Sequence, residues 1–432
     1  MIGFTSASRP KDQVLGLPEC GNGLPSPWFS GYLQASPTKH LHYVFVTSLS
    51  DPDNDPVVVW FNGGPGCSSL LALFQEHGPF VIDDGQYYIK PNPEPWNKRA
   101  NVLYLESPAG VGFSVGDTPQ DRIHNDMTQS KDALAALLDF YAGFPEFLTN
   151  DLYISGESYG GIYTPYLAWQ IHNHNSLVQV YKQTLSLPLK GFIVANGATD
   201  WDLDISPAFP DVVYNFNLIP PRMIKNYTDN NCTFYFRDVK QPNPDNAICT
   251  ELWGKINDLW QGLNWYDLFR KVYPQSAELN ATDDQARTKT VMIGNEEKTY
   301  KVGFTFQEYT SWLNQMPMYQ ASQPLLGTFL SDYVNRADVR RALNIPDSVQ
   351  AWSMCSNEVS SNYHLQLEGS LFIYKILMQY DYKILFFSGD TDGAVPTLGT
   401  RRWIETLNMA PQWKRQEVTT LFTNWIHDLP IA

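Results

Sequence analysis

No apolar run in the 432-residue sequence approaches the roughly 18 residues of a membrane-spanning helix, so no membrane span is expected. Positive charge is scarce. Thirty Lys and Arg face 45 Asp and Glu, for a formal net charge of −15, and no Lys/Arg block interrupts the chain. That balance argues against a nucleic-acid surface and fits a soluble protein, including one working in acid. Cysteine is sparse as well: Cys20, Cys67, Cys232, Cys249 and Cys355, with no CxxC pair, so no metal site or cofactor is expected. The opening stretch MIGFTSASRPKDQ holds no apolar segment of signal-peptide length. Internal repeats and low-complexity tracts are absent. What is present, 43% hydrophobic and 17% charged residues, is the composition of a folded globular chain and not of a disordered one.

Short apolar runs recur at 57–61 (VVVWF), 101–106 (NVLYLE), 151–155 (DLYIS), 191–196 (GFIVAN) and 383–389 (KILFFSG). They lack polar alternation, which predicts strands buried on both faces of a parallel sheet. Between two of them, SKDALAALLDFYAGF puts Leu134, Leu137, Leu138 and Tyr141 on one helical stripe, ended by Gly143 and Pro145. Strands alternating with helices predict an α/β fold. The strand rhythm stops from about 200 to about 328, which reads as an inserted cap. Three N-x-[ST] sequons, at Asn226, Asn231 and Asn280, fall inside it and point to an exposed region of a glycoprotein on the secretory route. DYVNRADVRRALNIP (332–346) predicts one helix returning to the core. The expected organisation is an N-terminal segment (1–30) of uncertain order, a first core part (31–200), a mainly helical cap (201–328) and a second core part (329–432).

Three stretches carry chemistry. GESYGG (156–161) places G-x-S-x-G between a strand pattern and a helix pattern. This is the context of a nucleophile elbow, in which glycines permit a turn so tight that Ser158 protrudes. The N–H of Tyr159, the next residue, is then one oxyanion donor. WFNGGPGCSS (60–69) follows the first clear strand, and its glycines let backbone N–H groups approach a ligand; the same glycines also suit a plain tight turn. SGDTDGAVP (388–396) follows a late strand, where this architecture keeps the acid that orients a histidine. Asp392 is selected over Asp390 because G-x-x-D-x-x-V-P loops place the acid there.

Together with ESPAGVGFS (106–114), these stretches resemble the serine carboxypeptidase family, over about 31–407. The resemblance implies an α/β-hydrolase fold with a mostly parallel central sheet. It also implies release of single residues from peptide or protein C-termini through an acyl-enzyme on Ser158, with the Gly64 and Tyr159 N–H groups holding the oxyanion. It further implies a pocket for the substrate's terminal carboxylate made by Asn62, the Gly63 N–H, Glu76 and Glu157, supported by Trp60. Two carboxyls in one site do not both ionise cheaply, so at least one keeps its proton and donates to the substrate, which suits acid. Glu157 also reads as a surface acid at a helix start, and Glu76 reads equally well as structural. The resemblance pairs Cys67 with Cys355 and assigns Cys232 and Cys249 to the cap, leaving Cys20 over. It implies a lysosomal, vacuolar or secreted location. A homodimer stays open.

Departures from the family pattern concern the base. The 40 residues after Asp392 contain one histidine, His427, in TNWIHDLPIA, which does not match the family's GAGHMVP-like stretch. The expectation is a fragment lacking both ends and nearly inactive as given. The alternatives are a non-catalytic binding or protective homologue, an acyltransferase using the same residues, or His427 as a displaced base.

Overall fold

The structure is a computed structural model that describes residues 9–21, 23–82, 88–181, 185–235, 246–260, 266–269, 288–293, 296–301 and 327–407. Its centre is one twisted sheet. The strands are β1 (Gln13–Val14), β2 (Trp28–Gln34), β3 (Lys39–Val46), β4 (Val57–Phe61), β5 (Asn101–Leu105), β6 (Val115–Gly116), β7 (Leu152–Ser158), β8 (Leu189–Gly197) and β9 (Lys383–Phe387). Their spatial order is β1-β2-β3-β5-β4-β7-β8-β9, with β6 on the end of β3. The five strands β5, β4, β7, β8 and β9 are mutually parallel, and they are the five apolar runs read from the sequence. The first hairpin, β2 and β3, adds antiparallel strands on the β5 side.

Period-two alternation decides which side chain enters which layer. Val57, Val59 and Phe61 of β4 face one core, shared with helices α2 (Asp126–Gly143) and α3 (Gly160–Tyr181). Val58 and Trp60 face the other, shared with α1 (Leu70–Gln75) and α7 (Gly327–Val334). All of β4 and β5 is buried, as a strand covered on both faces must be. α2 starts on a reciprocal cap between Asn125 and Thr128, and it buries Ala133, Leu137 and Tyr141 on its inward stripe.

Two expectations change. KILFF is not buried on both faces, because Leu385 (52% exposed) and Phe387 (44%) lie at an edge strand whose neighbour among the described residues is β8. The single helix expected over 332–346 is two, α7 and α8 (Ala337–Ala342). Arg336 takes an extended conformation between them, and the Asn335 side chain donates to the Ser331 and Trp352 carbonyls.

Between 201 and 328 the described residues add helices α4 (Phe209–Asn215), α5 (Pro221–Asp229) and α6 (Ala247–Trp260), and a hairpin of Thr288–Ile293 with Glu296–Lys301. None of these joins the central sheet. Asn226 and Asn231 are exposed, whereas Asn280 lies outside the described residues. Cys232 and Cys249 are bonded within this region, with Cα atoms 5.4 Å apart. Cys67 and Cys355 are bonded across 288 residues of sequence, with Cα atoms 3.9 Å apart. Cys20 is a free thiol.

Candidate active site

β4, β7, β8 and β9 all end at the same sheet edge, and each hands over to a loop there. In open α/β sheets that edge is where ligands sit. β7 ends on Ser158, which has φ +57°, a left-handed conformation that costs a non-glycine residue energy. α3 starts two residues later, so its positive end lies behind the serine. The turn is held on both sides. The Ser158 carbonyl accepts from the Ala198 N–H at 2.9 Å, and the Tyr159 carbonyl accepts from the Ile162 N–H at 2.9 Å.

The loop after β4 is pressed against this turn. A Cβ on Gly63 would run into the Tyr159 amide nitrogen and would lie 2.8 Å from the Ser158 Cβ. Only glycine allows that approach. Gly64, at φ +113°, is exposed and turns the chain toward Cys67, whose disulfide fixes the loop to the segment around Cys355. The main chain is tied there as well, by the Ser68 N–H on the Met354 carbonyl and the Ser356 N–H on the Gly66 carbonyl, both 2.8 Å.

Asn62 joins the two carboxyls. Its Oδ1 accepts from Trp60 Nε1 at 3.0 Å and from the Ala72 N–H at 3.2 Å. Its Nδ2 is thereby turned toward Glu76 Oε1 at 2.9 Å and Glu157 Oε1 at 2.6 Å. Burial pushes Glu157 up to about 7, against the pull of the Asn62 amide and with a further push from the Asp392 charge. Burial, then the charge on Glu157, pushes Glu76 well above the usual carboxylate range. Below neutral pH, then, this pair holds protons it can donate.

Asp392, 8% exposed, accepts from the Ala394 N–H (2.8 Å), the Asn196 Nδ2 (2.8 Å) and the Val395 N–H (3.3 Å). Burial still pushes it up to about 6. The structure therefore brings Ser158, Tyr159, Asn62, Gly63, Gly64, Trp60, Glu76, Glu157 and Asp392 to one edge of the sheet. His427 lies outside the described residues. Among the described residues no histidine is bonded to Asp392; His42 is on Glu106, His124 on the Ala109 carbonyl and His172 on Tyr382.

Two contributors were not read from the sequence. Asn196, at φ +39°, is the penultimate residue of β8, beside Gly197, which pairs with Ser158, and it links β8 to both Asp392 and Gly389. The available signal was an Asn-Gly at the end of a buried strand. Asp126 opens α2 and accepts the hydroxyls of Tyr159 and Tyr363, each at 2.8 Å, and the Gln366 N–H at 2.8 Å. No local pattern marks it, since an Asp at a helix start is ordinarily there for the helix.

A strained serine between a parallel strand and a long helix, with an acid on the loop of a later strand, defines an α/β-hydrolase. Similarity to known proteins narrows the class. The family model described as serine carboxypeptidase matches residues 18–426. The mouse (Mus musculus) lysosomal protective protein is 34% identical, over 95% of this chain and 84% of its own length. Serine carboxypeptidase ctsa-4.1 of Caenorhabditis elegans is 32% identical, over 90% of this chain and 78% of its own. The crystal structure of Kex1(Δ)p, a prohormone-processing carboxypeptidase from Saccharomyces cerevisiae, superposes with a TM-score of 0.67 at 20% identity, covering 94% of this chain and 82% of that one. At that identity the likeness speaks for the fold. This chain belongs to the serine carboxypeptidase family.

Proposed function

We propose that the chain removes C-terminal residues from peptides at acidic pH, with Ser158 as nucleophile. Ser158 Oγ attacks the carbonyl carbon of the last peptide bond and gives its proton to a base. The Gly64 and Tyr159 N–H groups hold the oxyanion, the base passes the proton on to the leaving nitrogen, and the C–N bond breaks to leave an acyl-enzyme and the freed C-terminal residue. Water then releases the acyl group. Asn62, the Gly63 N–H and protonated Glu157 and Glu76 bind the terminal carboxylate, which restricts cleavage to chain ends. Asp392 orients the histidine that takes the proton, and the histidine following it in the sequence is His427. The two disulfides and the lysosomal relative support a location on the secretory route, in a lysosome or vacuole or outside the cell.

The observation that carries the reading is the pair of carboxyls held by one buried amide directly beside a strained serine. A non-catalytic protein has use for the carboxylate pocket but none for the strain. The test is release of the terminal residue from an N-blocked dipeptide near pH 5, with fluorophosphonate labelling in parallel. The expected label is on Ser158 and is lost in Ser158→Ala. Without an imidazole at Asp392 the serine keeps its proton, and turnover falls on the order of a millionfold, as it does in subtilisin when the catalytic histidine is removed. A rate that is appreciable in the 432-residue chain and disappears in His427→Ala makes His427 the base. A chain that binds the dipeptide and is never labelled at Ser158 refutes the catalytic reading.

A further inference from the structure

The QEHGPF stretch contributes Glu76 to the carboxylate pocket, but the role of its histidine is unassigned. His77 is 7% exposed and sits behind Trp60. Its ring stacks on Trp96 (centroids 4.0 Å apart, planes 14°) and meets Trp60 edge-on at 4.4 Å. It also lies nearly parallel to Tyr104 at 5.6 Å, and its Nδ1 is 3.1 Å from the Tyr104 hydroxyl. Its main chain is pinned too, by its own N–H on the Ala72 carbonyl (3.0 Å) and by the Trp96 N–H on its carbonyl (2.9 Å). His77 thus touches Trp60, Trp96 and Tyr104 at once.

Trp60 decides which way the Asn62 amide points. An indole N–H can only donate, so it pairs with the Asn62 oxygen and rejects the NH2 group. With the oxygen held by Trp60 and the Ala72 N–H, the NH2 group faces the two carboxyls. The reversed amide would set an oxygen against Glu76, Glu157 and any incoming carboxylate. One hydrogen bond does not fix the plane of an indole, so the Trp60 ring angle depends on packing against His77 and Trp96. Moving that ring by a fraction of an ångström lengthens the 3.0 Å bond that sets the amide.

Resting on the carboxylate-pocket reading above, we propose that His77 is a positioning residue for carboxylate recognition, acting through Trp60 on the Asn62 amide. The ring must fill the space between Trp96 and Trp60 while its nitrogen engages Tyr104. Neither task is chemistry on the substrate, yet both fix the donor that selects a free C-terminus.

The test is the ratio of affinities for N-acetyl-phenylalanine and N-acetyl-phenylalaninamide, measured calorimetrically at pH 5 on the wild-type chain and on variants. The wild type is expected to prefer the free carboxylate. In His77→Ala that preference falls by about tenfold, the scale seen when supporting partners of a binding group are removed. Trp60→Phe removes the N–H but keeps a ring, and Tyr104→Phe removes only the hydroxyl; both shift the ratio in the same direction. Combining His77→Ala with Trp60→Phe adds little to either alone, because both act on the same bond. If His77→Ala does not fold, Trp60→Phe and Tyr104→Phe carry the test. Variants that melt earlier but keep the wild-type ratio make His77 a packing residue only and overturn the proposal. A wild type with no preference for the carboxylate overturns the pocket reading itself, and this inference with it.

Discussion

At the scale of single residues, the carboxylate pocket is a proton-dependent device. A substrate carboxylate is ionised throughout the range of interest, so a partner carboxyl helps only while it carries a proton. Burial pushes Glu157 up to about 7 and Glu76 well above its usual range. Glu157 is therefore protonated at pH 5 and has lost most of its donor character at pH 8. Affinity for N-acetyl-phenylalanine is expected to fall about tenfold from pH 5 to pH 8, since one unit beyond a pKa is a factor of ten. Glu157→Gln keeps an N–H donor at every pH, so the same titration followed by calorimetry should flatten in that variant. A wild-type affinity that is level or rising over this range contradicts protonated donors.

At the scale of elements, α2 is fastened to the nucleophile turn by one carboxylate. Asp126 is fully buried and satisfies Tyr159, Tyr363 and the Gln366 N–H together. Asp126→Ala leaves two buried hydroxyls and the half-buried Gln366 N–H without an acceptor, which is expected to cost about 3 kcal/mol. Asp126→Asn retains part of the acceptor set and should cost less, and urea denaturation followed by tryptophan fluorescence measures both. The same elements mark how much the sequence disclosed. The five parallel strands were legible because an apolar run without alternation needs no partner to be recognised. Ser158, Gly63 and Gly64 were legible because their backbone demands are written locally as glycine spacing. Asp126 and Asn196 were not, because each acts on a residue far away in sequence, and an Asp at a helix start or an Asn at a strand end serves many purposes. The exposed face of β9 was hidden for the same reason. KILFF reads alike whether both of its faces are covered or one is open. The break at Arg336 was missed because the hydrophobic period continues across it, while the Asn335 side chain, bonded to Trp352, redirects the chain.

At the scale of the whole molecule, the buried acids give the fold a pH preference with a definite sign. Asp204 is completely buried; its Oδ2 accepts from the Thr199 N–H at 2.8 Å, and burial pushes it up to about 8. Asp126 and Asp392 are raised to about 6 and Glu157 to about 7, each chiefly by burial. An acid with a raised folded pKa is protonated in the fold at a pH where the unfolded chain has already released that proton. The folded state then binds more protons than the unfolded one, and stability falls as pH rises through the gap. Buried histidines act the other way. His77, lowered to about 3, and His124, lowered to about 4, are neutral in the fold, so protonation of the unfolded chain favours unfolding at low pH. That opposition fades above pH 7, where unfolded histidines have mostly lost their protons. From pH 7 to pH 8 the acids act unopposed, and each retained proton contributes a loss of about 1.4 kcal/mol per pH unit. The melting temperature is therefore expected to drop between pH 7 and pH 8. Asp204→Asn, which keeps an oxygen for the Thr199 N–H but cannot ionise, should remove much of that drop while leaving the melting point at pH 5 nearly unchanged. Differential scanning calorimetry of the two chains across that interval decides the matter. An unaltered slope in the variant means that Asp204 is not among the groups that bind the extra proton.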